Sequence, residues 1–207
     1  MKSRWLVLTR DLGIEDDAAA NVWERLAAAH GADGRFYHNL THIEYTLDVA
    51  EQLREVAVDF TAVQLAIWFH DVVYDPRRSD NEAESAAFAE RVLRPLGVPD
   101  EMLAKVRQLI LATKTHETAV ADLDVWVMLD ADLAILSAPS EQYDAYAQAI
   151  RQEYSFVPDE AYGVGRTAVL QKFLARSPFY FTEQMQEWGD TAVAANLTRE
   201  LTQLGAN

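Results

Sequence analysis

Apolar residues recur along this chain mostly at three- and four-residue steps, the spacing that places them on one stripe of a helix. Ile14 to His30 carries Val22, Leu26 and Ala29 on such a stripe and stops at Gly31, a residue suited to ending a helix. A loop follows through Arg35. From Asn39 or Thr41 to about Val58, Ile43, Leu47, Ala50 and Leu53 predict a second helix. Thr61 is placed to cap a third, Ala62 to Val72, which is apolar almost all round and therefore expected at the centre. Asp80 or Asn81 opens a helix to Leu93, and Pro99-Asp100-Glu101 opens another to about Lys114. Further helices are predicted from Leu123 to Leu136, Ser140 to Tyr154, Pro158 to Arg176, and Glu183 to Leu204. Gly189 weakens the middle of the last, which is therefore read as one helix or a pair. The expectation is one all-α domain over residues 1–207, a bundle of about eight or nine helices. No linker, internal repeat or low-complexity tract divides it.

Composition narrows the function classes. The 207 residues carry 18 Lys and Arg against 33 Asp and Glu, a formal charge of −15, which argues against broad nucleic-acid binding. It leaves room for a small anionic substrate, because a metal or local Arg groups can reverse the field inside a cleft. With no cysteine, disulfides, thiolate metal ligands and cysteine nucleophiles are excluded. The apolar runs Leu65–Phe69 and Val125–Leu129 fall far short of the roughly 20 residues a bilayer needs. The apolar stretch within Met1–Arg10 is too short for a signal-peptide core. A cytoplasmic protein without a membrane partner is the default expectation.

The chemistry-bearing residues interrupt apolar segments. His38 and His42 stand four apart in Tyr37-His38-Asn39-Leu40-Thr41-His42, and would share a face if one helix covered both. His70-Asp71 ends the run from Leu65, and Asp130 and Asp132 interrupt the run from Val125. A buried carboxylate is costly unless it is paired, hydrogen-bonded or bound to metal. Convergence of both runs on one cation would compensate both. Imidazole and carboxylate without thiolate suit Mn, Fe, Co, Ni or Zn, and Mg where waters complete the shell.

Tyr37-His38-Asn39-x-x-His42, His70-Asp71 and Ala131-Asp132-Leu133 together resemble the HD superfamily of metal-dependent phosphohydrolases. More narrowly, the chain resembles its small stand-alone bacterial members of unassigned substrate. The motif core covers about residues 35–135, with C-terminal helices over 140–207. The resemblance implies that His42, His70, Asp71 and Asp132 hold a divalent metal and that His38 is the general acid. Asp130 is the second choice for the last ligand. The same resemblance implies cleavage of a phosphate ester of a nucleotide or other small phosphorylated metabolite by metal-bound hydroxide, oriented by Asp71. His116 sits where some HD proteins place a further His for a second metal or for substrate. Arg35, Lys114 and Arg166 are candidate phosphate contacts. Glu82 is a candidate for orienting water, and Trp68 and Trp126 are expected to wall the site. Tyr74-Asp75 stands where HD alarmone hydrolases carry Glu-Asp, which argues against that activity.

Two rival readings belong to other classes. One is a non-catalytic, metal-containing module that binds a nucleotide; retention of His38 weighs against it. The other is oxygen chemistry at a di-iron centre, for which His116 is the one remaining histidine in motif order. A homodimer is compatible with all three. His30, in the last turn before Gly31, reads as a structural helix-end residue.

Overall fold

The computed structural model describes residues 1–118 and 120–205, and among these ten α-helices and no strand occur. In chain order they are α1 (Lys2–Asp11), α2 (Asp16–His30), α3 (Leu40–Gln52), α4 (Phe60–Phe69) and α5 (Asn81–Leu93). α6 (Asp100–Ala112), α7 (Leu123–Leu133), α8 (Ser140–Glu153), α9 (Asp159–Leu174) and α10 (Glu183–Gln203) complete the set.

The all-α expectation is met, but the helix count rises because α1 was not foreseen. Trp5, Leu8 and Thr9 form its buried face, and Trp5 Nε1 donates to the Ala19 carbonyl at 2.8 Å, pinning α1 to α2. α4 is the central helix, as its all-round apolarity predicted: Ala62, Val63 and Leu65 to Phe69 are all fully buried. It packs on α3, α5, α6 and α7. Its cap is Asp59 rather than Thr61, the Asp59 carboxylate accepting from the Ala62 amide at 2.9 Å.

Several predicted ends are corrected. α3 stops at Gln52 and α4 at Phe69, and α7 gives way after Leu133 to a 3₁₀ turn, Ala134–Ser137. The Asp122 carboxylate caps α7 through the amides of Asp124 and Val125. α10 is one unbroken helix through Gly189, where the missing side chain is a packing requirement. A Cβ there would stand 2.5 Å from the Tyr180 ring and 3.0 Å from Ser137 Cβ. No described helix is long and apolar enough to cross a membrane.

Candidate metal centre

Three helices packed on one another, α3, α4 and α7, position the candidate donors. Asn39, the residue between the paired histidines, caps α3: its side-chain oxygen accepts from the amides of Thr41 at 2.9 Å and His42 at 3.4 Å. His42 therefore lies in the first turn of α3, and His38 lies before the helix, so the two do not share a helical face. His70 is the residue that closes α4, and Asp71 follows it. Asp132 comes from the last turn of α7, which packs on α3 and α4.

His42 Nε2 and His70 Nε2 stand 3.1 Å apart. Asp132 Oδ1 lies 3.2 Å from the first and 3.3 Å from the second. Asp71 Oδ2 is 3.0 Å from His70 Nε2 and 3.6 Å from His42 Nε2. Donors about 2.1 Å from a common ion lie about 3.0 Å apart at adjacent octahedral positions and about 3.4 Å apart in a tetrahedron. The observed separations fall around these values, and His42, His70 and Asp132 form a buried group that could hold a metal ion.

The ring nitrogens facing away from the cluster are also engaged. His70 Nδ1 lies 2.9 Å from the Ile67 carbonyl, which fixes a proton on Nδ1 and directs Nε2 at the cluster. His42 Nδ1 lies 3.4 Å from Thr46 Oγ1. Burial disfavours a charged His70, but Asp71 and Asp132 outweigh it and hold its pKa well above the ordinary imidazole range. Burial prevails at His42 and lowers its pKa. Burial would raise both carboxylates, yet the imidazoles around them hold Asp71 and Asp132 below the usual range. The cluster thus binds positive charge strongly, and a proton on His70 meets that demand.

A second network holds His38. Glu153, the last residue of α8, directs Oε2 at His38 Nδ1, 2.6 Å away, and accepts from the Tyr74 hydroxyl at 2.8 Å. Its Oε1 accepts from the amides of Tyr37 at 2.8 Å and His38 at 3.0 Å. The His38 ring stacks on Tyr74, 4.0 Å between centroids and 25° between planes. Burial opposes the imidazolium, but Asp71 and Glu153 overcome it and raise the pKa of His38. Glu153 was missed in the sequence because it lies 115 positions from His38, at the end of an outer helix whose acids read as surface.

His116 joins the cluster from the loop after α6. Its Nε2 lies 2.9 Å from Asp132 Oδ2, and its φ of +50° is the one left-handed non-glycine conformation among the described residues. Such a backbone costs energy and persists where surrounding contacts hold it. Here the conformation delivers the ring to Asp132.

The remaining candidates separate. Arg35 donates to the carbonyls of His38, Asp71 and Val72 at 3.0, 2.6 and 2.9 Å. It ties the loop before α3 to the His-Asp segment, and this corrects its assignment as a phosphate contact. Arg166 is buried and bidentate on Glu200, at 2.7 and 3.0 Å, so its charge is already answered. Lys114 donates to the Ser79 carbonyl at 2.7 Å. Lys114, Arg166 and Glu82 nevertheless line the same cavity of about 700 Å³ as His38, His70, Asp71, His116 and Asp132.

Asp130 faces away from the cluster. It accepts from the Phe181 and Thr182 amides and the Thr182 hydroxyl, seating the start of α10. Burial outweighs those bonds and pushes its pKa up to about 6. Trp68 packs edge-on against Trp5 and Trp23 in the core, and Trp126 stacks on Phe181, so neither walls the cavity. His30 is structural as expected: it is buried, with Nε2 3.3 Å from the Trp68 carbonyl. The chain matches no protein-family model, no curated protein and no solved structure with which it was compared.

Proposed function

We propose that this chain is a metal-dependent phosphohydrolase of the HD superfamily, cleaving a phosphate ester of a nucleotide or other small phosphorylated metabolite. The observation that carries this reading is the convergence of His42, His70, Asp71 and Asp132 at a cavity that the last three line together with His38, whose imidazole is held by Glu153. A divalent ion held by these four residues would supply Lewis acidity toward a phosphoryl oxygen and lower the pKa of water. Mn, Mg, Fe, Co, Ni and Zn all tolerate imidazole with carboxylate.

The chain's own groups supply the rest. Asp71, beside both imidazoles, accepts a hydrogen bond from the attacking water and orients it. His38, charged because Asp71 and Glu153 outweigh burial, donates its proton to the departing alkoxide. Glu153 keeps Nδ1 of that imidazole occupied, which leaves Nε2 for the transfer. Tyr74 supports the ring from below.

The test is a screen of phosphomonoesters, phosphodiesters and nucleoside phosphates with protein stripped by chelator and reloaded with each metal. His70→Ala is expected to lose metal and turnover together. His38→Ala is expected to keep metal but lose turnover. Full activity in metal-free Asp71→Ala protein overturns the mechanism. Thermal stabilisation by a nucleotide with no product from any metal form makes the chain a binding module instead.

A further inference from the structure

The cavity extends well beyond the donors, and its far wall has a different chemistry. α8 and α9 each turn a face toward this space. From α8 and the turn after it come Ile150, Tyr154 and Val157; from α9 come Gly165, Val169 and Phe173. Apolar faces of this kind normally pack on a core, yet in α9 only Arg166 and Leu170 are buried. Val169 is 44% exposed while lining the cavity. An added Cβ at Gly165 would meet nothing within 4 Å, so bare backbone faces the space there.

The charges on this wall cancel. Arg166 is neutralised by Glu200 and Lys172 pairs with Glu117 at 2.8 Å. Lys114, tied to the Ser79 carbonyl, lines the same cavity as Glu82. Additional phosphates would find no net positive field there, whereas an uncharged group would cover apolar surface that now faces water.

We infer that this chamber seats the uncharged, largely apolar alcohol portion of the phosphate ester, and that Gly165 sets how bulky that portion can be. The inference rests on the phosphohydrolase reading for the position of the phosphate. The alcohol lies between Val169 and Phe173 on one side and Ile150 and Val157 on the other. Gly165 keeps the floor open by having no side chain.

The experiment measures binding, so it does not depend on turnover. Manganese-loaded protein is titrated calorimetrically with methylphosphonate, 1-naphthylmethylphosphonate and 3-phosphonopropionate, whose far end carries a charge. The naphthyl compound is expected to bind at least about tenfold tighter than methylphosphonate, and phosphonopropionate no tighter than methylphosphonate. Gly165→Leu is expected to shrink the naphthyl preference below about threefold. Gly163→Leu, which gains the same helix propensity in open space off the cavity wall, keeps the preference and controls for folding. Tighter binding of phosphonopropionate, or an undiminished naphthyl preference in Gly165→Leu, overturns the inference. Absence of binding by all three compounds overturns it together with the phosphohydrolase reading. The expected preference, in a protein that turns over no ester, supports the chamber and refutes the hydrolase.

Discussion

Replacing Glu153 by Gln removes one charge and leaves the shape of the side chain, so it isolates what that carboxylate does. Its four hydrogen bonds, at 2.6 to 3.0 Å, join two backbone amides, the His38 ring and the Tyr74 hydroxyl. Burial by itself would raise the pKa of Glu153; His38, with the His38 and Tyr37 amides, lowers it from 4.5 to about 2. A carboxylate whose pKa is depressed in the fold stabilises it fully above the unfolded value and loses that contribution as pH falls toward the folded one. A depression of that size corresponds to about 3 kcal/mol at pH 7. By pH 3.5 about 1 kcal/mol of that is gone. Urea unfolding of wild type and Glu153→Gln is therefore expected to show a gap of about 3 kcal/mol at pH 7, narrowing toward pH 3.5. A gap that is the same at both pH values would refute the charge-based account. The kinetic counterpart uses leaving groups. Glu153→Gln and His38→Ala are expected to lose far more activity on an alkyl phosphate than on a nitrophenyl phosphate, whose alcohol departs without a proton. Equal losses on both would refute the assignment of His38 as acid and Glu153 as its positioning residue.

Three further outcomes follow from the same physics. Because His70 is held protonated by Asp71 and Asp132, metal uptake at pH 7 is expected to release about one proton per ion, read from calorimetry in buffers of different ionisation enthalpy. Burial and the Arg35 charge lower the pKa of His30 to about 4, so its contribution is complete above pH 6.5 and lost as pH falls toward 4. Wild type should lose roughly 3 kcal/mol more than His30→Gln across that window, and parallel unfolding curves would contradict it. Gly189→Ala should cost about 1 to 3 kcal/mol despite its better helix propensity, because the methyl meets the Tyr180 ring; a raised melting temperature would show the contact to be soft.

The helical periodicity was legible from short spacing, and so were the local motifs that hold the His42, His70 and Asp132 group. Asn39 and His42 are three apart, His70 and Asp71 are adjacent, and the apolar runs around them mark the interior. α1 was legible in principle, since Trp5, Leu8 and Thr9 follow the helical step, but ten residues next to a chain end give a weak signal. The choice of Asp132 over Asp130 depended on a resemblance. Two residues apart on a helix, they point to different sides, one to the imidazoles and the other to the start of α10. What the sequence did not show was pairing at a distance. Arg35 to the Asp71 and Val72 carbonyls, Arg166 to Glu200 and His38 to Glu153 are bonds between segments 34 to 115 residues apart. A residue's charge says that it needs a partner, not which one the fold supplies.

The position of Glu153 also bears on what can be transplanted. Residues 35–135 hold His42, His70, Asp71 and Asp132 and could be mistaken for a portable cassette. The carboxylate that governs His38 arrives from α8, outside that stretch, and α8 is in turn clasped to α10 through Tyr143 and Glu200. A graft bounded by the motif would carry the His and Asp cluster and leave behind the carboxylate that holds His38. The smallest unit that keeps this arrangement intact is therefore larger than the motif, because α8 must come with it.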